Sequence, residues 1–197
     1  MEFLTTLFRM KIFLRSAARS TVLGALCLLL VSGMAAAAEP LEYAVKAAFI
    51  YNFAKFVEWP KESSSKEGSF VIGILGRDPF GGALQQTVSG KTIRERKITV
   101  KQFSRIEDAI GSDILFISTS EKEGVAQILR RLDGAPVLTI SDLGRFSEQG
   151  GMIEFVIDHD RVRFAINPGA SAQAGLKPSS QLLKLARIIT GPGKAKE

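Results

Sequence analysis

Phe70-Val71-Ile72-Gly73-Ile74-Leu75-Gly76-Arg77-Asp78-Pro79 reads as a buried strand that stops at a glycine and turns toward a helix. Its first six residues are apolar, rich in β-branched side chains and free of alternation, the pattern of a strand covered on both faces. Gly76 breaks the run. Asp78 then offers a helix cap and Pro79 a proline at the first helical position, so the spacing predicts a short helix from Pro79 to about Val88.

The same unit recurs downstream. Ile98 to Phe103 reads as a strand, Arg105 to Ile110 as a short helix, and Asp113-Ile114-Leu115-Phe116-Ile117 as another buried strand. Ser120 with Glu123 forms a capping box for a helix from Glu121 to Leu132, which Asp133-Gly134 closes, and Pro136 to Ile140 is the next strand. Strands alternating with helices across short loops predict an α/β, three-layer fold with a mostly parallel central sheet flanked by helices.

The rhythm changes near the end. Met152 to Ile157 and Val162 to Ile166 flank Asp158-His159-Asp160-Arg161 and predict a C-terminal β-hairpin. With Asp158 facing Arg161, Glu154 falls diagonal to Arg163 on an exposed face, while Ile153, Phe155, Ile157, Val162, Phe164 and Ile166 fill the other. A last amphipathic helix is expected over Ser179 to Ile189, with Leu182, Leu183, Leu185, Ala186 and Ile189 inward and a flexible tail at 191–197.

Upstream of Phe70, Val45, Phe49, Phe53, Phe56 and Val57 recur at helical spacing in a helix from Tyr43 to Trp59 that Pro60 ends. Five of the sixteen aromatic residues, Phe49, Tyr51, Phe53, Phe56 and Trp59, lie within eleven positions. Tyr51 and Trp59 fall off the apolar stripe and are candidate anchors for a partner. Further upstream, Arg9, Lys11, Arg15 and Arg19 precede the apolar run Val22 to Val31, and small residues follow at Ala35 to Ala38. That order marks residues 1–38 as a cleaved secretory signal peptide and places the rest in the periplasm.

Residues 39–190 then form one domain, long enough for a real core. The formal charge of +6 falls to +3 once the segment takes away four basic residues and Glu2, leaving 22 basic against 19 acidic, so nucleic acid is not implied. The only cysteine, Cys27, leaves as well, which excludes disulfides, thiol nucleophiles and thiolate metal sites. His159, the only histidine, sits between two aspartates in a turn; with so few nitrogen ligands, no metal or other cofactor is expected. Neither a nucleophile elbow nor a phosphate-binding or dinucleotide fingerprint occurs, and Gly73 and Gly76 serve close packing and a positive φ at a strand exit. No enzyme is expected.

Two surfaces remain as candidates. In a parallel sheet, loops at the carboxyl ends of strands line the usual crevice, which makes Asp78, Ser118 and Asp142 candidate ligand contacts. Lys91, Arg94, Arg96, Lys97 and Lys101 crowd one segment, able to dock an acidic partner or an anionic membrane face, or to stand as a solvated edge strand.

Lys46-Ala-Ala-Phe-Ile-Tyr-Asn-Phe-Ala-Lys-Phe-Val-Glu-Trp-Pro60, Ile72-Gly-Ile-Leu-Gly76 and Pro79-Phe80 resemble the YfiR family of periplasmic proteins. Ile114 to Ser118, Leu138 to Asp142, Gly150 to Phe155, Arg163 to Asn167 and Ala174 to Ala186 resemble its later segments in the same order. The resemblance implies an α/β sheet flanked by helices, often as a homodimer, without enzymatic activity. It also implies a repressor that binds the periplasmic portion of a membrane-bound diguanylate cyclase and holds cyclic di-GMP low. Tyr51, Trp59, Arg94, Arg96, Lys97 and Lys101 are the candidate contacts for such a partner. Family members can carry disulfides, and the exported part of this chain has no cysteine, so redox control is not expected here. The alternative expectation is a periplasmic small-molecule sensor using the crevice.

Overall fold

The structure is a computed structural model that describes residues 38–60 and 68–190. The expected signal segment up to residue 37 and the expected tail at 191–197 lie outside the described residues. The chain divides into two units, Met1–Leu41 and Glu42–Glu197, and the architecture below is that of the second.

Helix α1 spans Ala38–Phe56 and is followed directly by a short strand, β1, Val57–Glu58. Then come β2 (Phe70–Leu75), α2 (Ala83–Val88), β3 (Thr92–Ile93), β4 (Arg96–Phe103), α3 (Ile106–Ala109) and β5 (Ile114–Ile117). A 3-10 turn over Thr119–Gly124 leads into α4 (Val125–Arg131), and β6 (Leu138–Ser141), β7 (Ile153–Asp158) and β8 (Arg161–Ile166) follow. The chain closes with α5 (Pro168–Gln173), β9 (Lys177–Pro178), α6 (Ser180–Leu185) and β10 (Arg187–Ile188).

The main sheet has the order β10-β8-β7-β6-β5-β2-β4-β3. Strands β4, β2, β5, β6 and β7 run one way, and β3, β8 and β10 run the other. The sheet is therefore mixed, which corrects the expectation of a mostly parallel one. Two tight hairpins cause the reversals, β3–β4 through Arg94-Glu95 and β7–β8 through His159-Asp160, all four residues at positive φ. Asp158 faces Arg161 in the second hairpin, the register considered from the sequence.

Alternate residues of the central strands feed two apolar clusters. Ile72, Ile74, Ile114, Phe116, Leu138 and Ile140 join Ala47, Ile50 and Phe53 of α1, whereas Leu75, Leu115 and Ile117 join Val125 and Ile128 of α4 and Phe146. Phe53 is completely buried, between Phe164 at 5.0 Å and Phe155 at 5.8 Å between centroids. Burial of such a ring contributes roughly 2–3 kcal/mol. Gly73 lies where a Cβ would come within 2.7 Å of Ser112 Oγ and 2.8 Å of Leu115 Cδ1, and Gly76 has φ +88°. Close packing and a left-handed backbone are what the two glycines provide.

Several expected elements differ. α1 ends at Phe56 because Val57–Glu58 pairs antiparallel with Lys177–Pro178, and the Ser179 N–H donates to Phe56 O. Its buried stripe is Lys46, Ala47, Ile50, Phe53 and Ala54, rotated from the expected one, so Val45 and Phe56 are partly exposed. The helix expected from Pro79 starts at Ala83, because Asp78 Oδ1 accepts from Phe80 N at 2.8 Å and closes a turn of its own. Ser120 is not a helix cap; its hydroxyl accepts from Arg77 N and bonds Glu121, and the α-helix begins only at Val125. Glu154 is buried, not exposed beside Arg163: its carboxylate accepts from the backbone N–H groups of Arg145 and Ser147 and from the Ser147 hydroxyl. Ile157, expected inside, is exposed.

Candidate partner-binding site

The short pairing of β1 with β9 brings the end of the chain back against α1. Ser179 then caps α6 by accepting from Leu182 N at 3.2 Å, which turns Leu182 inward and leaves Leu185 outward. Between α1, α6 and β8 lies an open groove of about 290 Å³ lined by Phe49, Asn52, Phe53, Phe56, Phe164, Gln181, Leu182 and Leu185. Phe49 and Phe56 line it from α1, the buried Phe53 and Phe164 lie beneath, and the carboxamides of Asn52 and Gln181 are its polar points. Phe56 is 37% exposed, Leu185 74% and Ile188, just beyond α6, 50%. Large apolar side chains gathered beside a groove mark a surface for a partner far better than an isolated exposed leucine does.

The expected partner contacts are split by the structure. Tyr51 is half-buried, with Lys91 Nζ at 4.3 Å and Lys55 Nζ at 5.5 Å from its ring centroid, and the Arg94 guanidinium lies 5.6 Å from the Trp59 ring. Trp59 is a core residue and not the exposed anchor expected. It is 7% exposed, its indole N–H donates to Asp113 O at 3.3 Å, and its ring meets Phe70 edge-on. Arg96 also turns inward, onto the buried Asp113 carboxylate. Lys97 and Lys101 are exposed but alternate with Ile98 and Val100, which pack toward α1, so they stand on the opposite face of β4 from Tyr51.

The expected crevice is filled from within. Asp142 Oδ2 accepts from the Tyr43 hydroxyl at 2.7 Å and from Lys46 Nζ at 2.6 Å, and Lys46 also pairs with Glu42 at 2.6 Å. The Tyr43 ring packs edge-on against Phe80, 5.4 Å away. Ser118 is buried and its hydroxyl accepts from Ser120 N, while Asp78 closes the turn already described. Here α1 occupies the place at the carboxyl ends of the strands that a ligand would take in an open sheet. Among the described residues, no group of three or more His, Cys, Asp and Glu is placed to hold a metal ion.

The groove was hidden in the sequence by one misassignment. Phe53 is core, as its spacing predicts, and Phe49 packs against that core, whereas Phe56 and Leu185, expected inside, are 37% and 74% exposed; α1 carries two adjacent apolar stripes, more than one covered face requires. That surplus was the available signal.

The fold is that of an α/β protein with an open groove lined by aromatic side chains. A family model described as YfiR/HmsC-like matches residues 43–187, and the chain belongs to that family. Among solved structures, a conserved domain protein from Vibrio cholerae O1 biovar El Tor strain N16961 is similar at 12% identity, with a TM-score of 0.46, over 60% of this chain. The match spans about half, 54%, of that protein's own length.

Proposed function

We propose that the protein is a periplasmic regulator that binds the periplasmic portion of an inner-membrane diguanylate cyclase and inhibits it, lowering cyclic di-GMP. The observation that carries this reading is the open aromatic groove between α1 and α6, in a chain of the YfiR/HmsC-like family. Membership supports the regulatory role, and the groove supplies a physical means. A partner side chain inserted among Phe49, Phe56 and Leu185 would be desolvated at the centre of a contact, where binding energy concentrates. Asn52 and Gln181 can satisfy backbone groups of the inserted segment. Among the described residues, no helix is long and apolar enough to cross a membrane.

The reading moves the main contact from the residues expected in the sequence to the groove. Tyr51 is half-buried and Arg94 exposed, whereas Trp59 and Arg96 support the scaffold. Capture from solubilised membranes tests it. The native protein should retain a diguanylate cyclase and a Phe56→Ser, Leu185→Ser variant should not; equal capture by both would remove the groove from the account.

A further inference from the structure

The register of the last strands sorts their side chains onto two faces of the sheet. Phe164 and Ile166 of β8 pack on the α1 side, so Arg161, Arg163 and Ala165 point to the other side. β10 pairs with β8 so that Arg187 stands beside Ala165 and Ile188 beside Ile166. Arg187 therefore joins Arg163 on the face away from α1, while Ile188 joins the face that holds the groove. Both arginines are exposed. With neighbouring strands about 4.8 Å apart and alternate residues about 6.6 Å apart, the Cα atoms of Arg163 and Arg187 are about 8 Å from each other. Two long guanidinium side chains at that spacing reach one carboxylate together.

The row of arginines continues toward the loop before β7. Glu154 stands beside Ala165, and its buried carboxylate accepts from Arg145 N at 3.0 Å and from Ser147 N at 3.0 Å. These bonds hold Arg145 at a φ of 65°, a left-handed conformation that its residue type disfavours. Its side chain is 81% exposed and has Glu148 at 2.8 Å. Arg161 stands opposite Asp158, whereas Arg163 stands opposite Val156. Arg163 and Arg187 thus form the centre of this face, and Arg145 and Arg161, each beside an acidic residue, flank it.

The other side of β10 is apolar. Leu185, which lines the groove, is 74% exposed, and Ile188 is 50% exposed. A lipid surface meets one face of a strand at a time, whereas a peptide segment that wraps β10 meets both. Successive side chains of an extended segment point in opposite directions, which matches a strand that is cationic on one side and apolar on the other.

We propose that Arg163 and Arg187 bind a carboxylate of the partner segment whose neighbouring apolar side chain enters the groove beside Leu185. The inference rests on the reading of the groove as the partner site and adds the chemistry of what enters it. The planar guanidinium fork accepts a carboxylate in a fixed orientation, so the arginines set the register and the groove supplies desolvated contact.

Fluorescence anisotropy tests this with the full chain purified from the periplasm and a labelled octapeptide alternating glutamate and leucine. Binding is expected, and it should weaken as salt is raised. An octapeptide alternating lysine and leucine should not bind. The double variant Arg163→Glu, Arg187→Glu should bind the glutamate–leucine peptide at least about tenfold more weakly at an unchanged Tm. A matched reversal of exposed cations elsewhere, Lys122→Glu, Arg130→Glu, should bind like the native chain. No binding of the glutamate–leucine peptide, equal binding of the lysine–leucine peptide, or equal loss in both doubles overturns the proposal. So does sedimentation with phosphatidylglycerol vesicles, lost in the arginine double, in the absence of peptide binding, which assigns the face to lipid. Native-like peptide binding by Phe56→Ser, Leu185→Ser counts against the groove reading alone, because the arginine double still reports the carboxylate site.

Discussion

Arg96 closes both terminal guanidinium nitrogens on the Asp113 carboxylate, Nη1 on Oδ1 at 2.9 Å and Nη2 on Oδ2 at 3.0 Å. The pair is a scaffold hub, because Asp113 also accepts from Val71 N and its carbonyl accepts the Trp59 indole. Asp113 is 2% exposed and the Arg96 side chain 12%, so the charges are largely out of water. Arg96→Ala therefore leaves a buried carboxylate without its counter-charge. It should cost about 3 kcal/mol and lower Tm by roughly 10 °C. Thermal unfolding followed by circular dichroism checks this; an unchanged Tm would return Arg96 to the surface.

Lys46 is buried between two carboxylates, and Asp142 has only Lys46 and Tyr43 on its Oδ2 while Oδ1 has no partner among the described residues. The two substitutions should differ. Lys46→Met strands Asp142 and should cost about 3 kcal/mol, whereas Asp142→Asn leaves Lys46 paired with Glu42 and should cost about half as much. Urea unfolding of both single variants and the double, read as a cycle, measures the coupling directly.

Gly73→Ala places a methyl group 2.7 Å from Ser112 Oγ and 2.8 Å from Leu115 Cδ1 inside the sheet. Both neighbours are buried, so making room for the methyl shifts packed side chains and a loss of about 1–3 kcal/mol is expected. A denaturant midpoint equal to that of the native protein would mean the strands relax around the methyl.

Trp59 is the only tryptophan, and its burial makes the intrinsic fluorescence a reporter of this one site. Emission should be blue-shifted in the native state and move to the red on unfolding. Trp59→Phe loses the hydrogen bond to Asp113 O and should destabilise by about 1–2 kcal/mol, yet leave partner capture intact. Selective loss of capture at unchanged stability would restore Trp59 as a contact.

The strands of the central sheet were legible because apolar runs such as Ile114 to Ile117 admit few alternatives once covered on both faces. The β7–β8 register was legible from its two-residue turn. Helix starts were less so: the side chains of Asp78 and Ser120 bond locally and delay α2 and α4, and an isolated capping pattern does not reveal that competition. The reversal at β3 rests on Arg94 and Glu95 taking left-handed backbone conformations that their residue types disfavour. The groove is not legible in the sequence because Phe56 and Leu185 look like core residues in one dimension. Only the pairing of Val57–Glu58 with Lys177–Pro178 decides that they meet at the surface.

Substitution at Phe56 and Leu185 should alter function without altering the fold, because both side chains are already partly or largely in water. Phe56→Ser, Leu185→Ser should lie within about 1 kcal/mol of native stability and reach the same level in the periplasm. The most direct measurement is cyclic di-GMP in cells lacking the gene, complemented either with the native chain or with this variant. The account predicts a rise on deletion, a return to the low level with the native chain and no return with the variant. Unchanged cyclic di-GMP on deletion, or full repression by the variant, would contradict it.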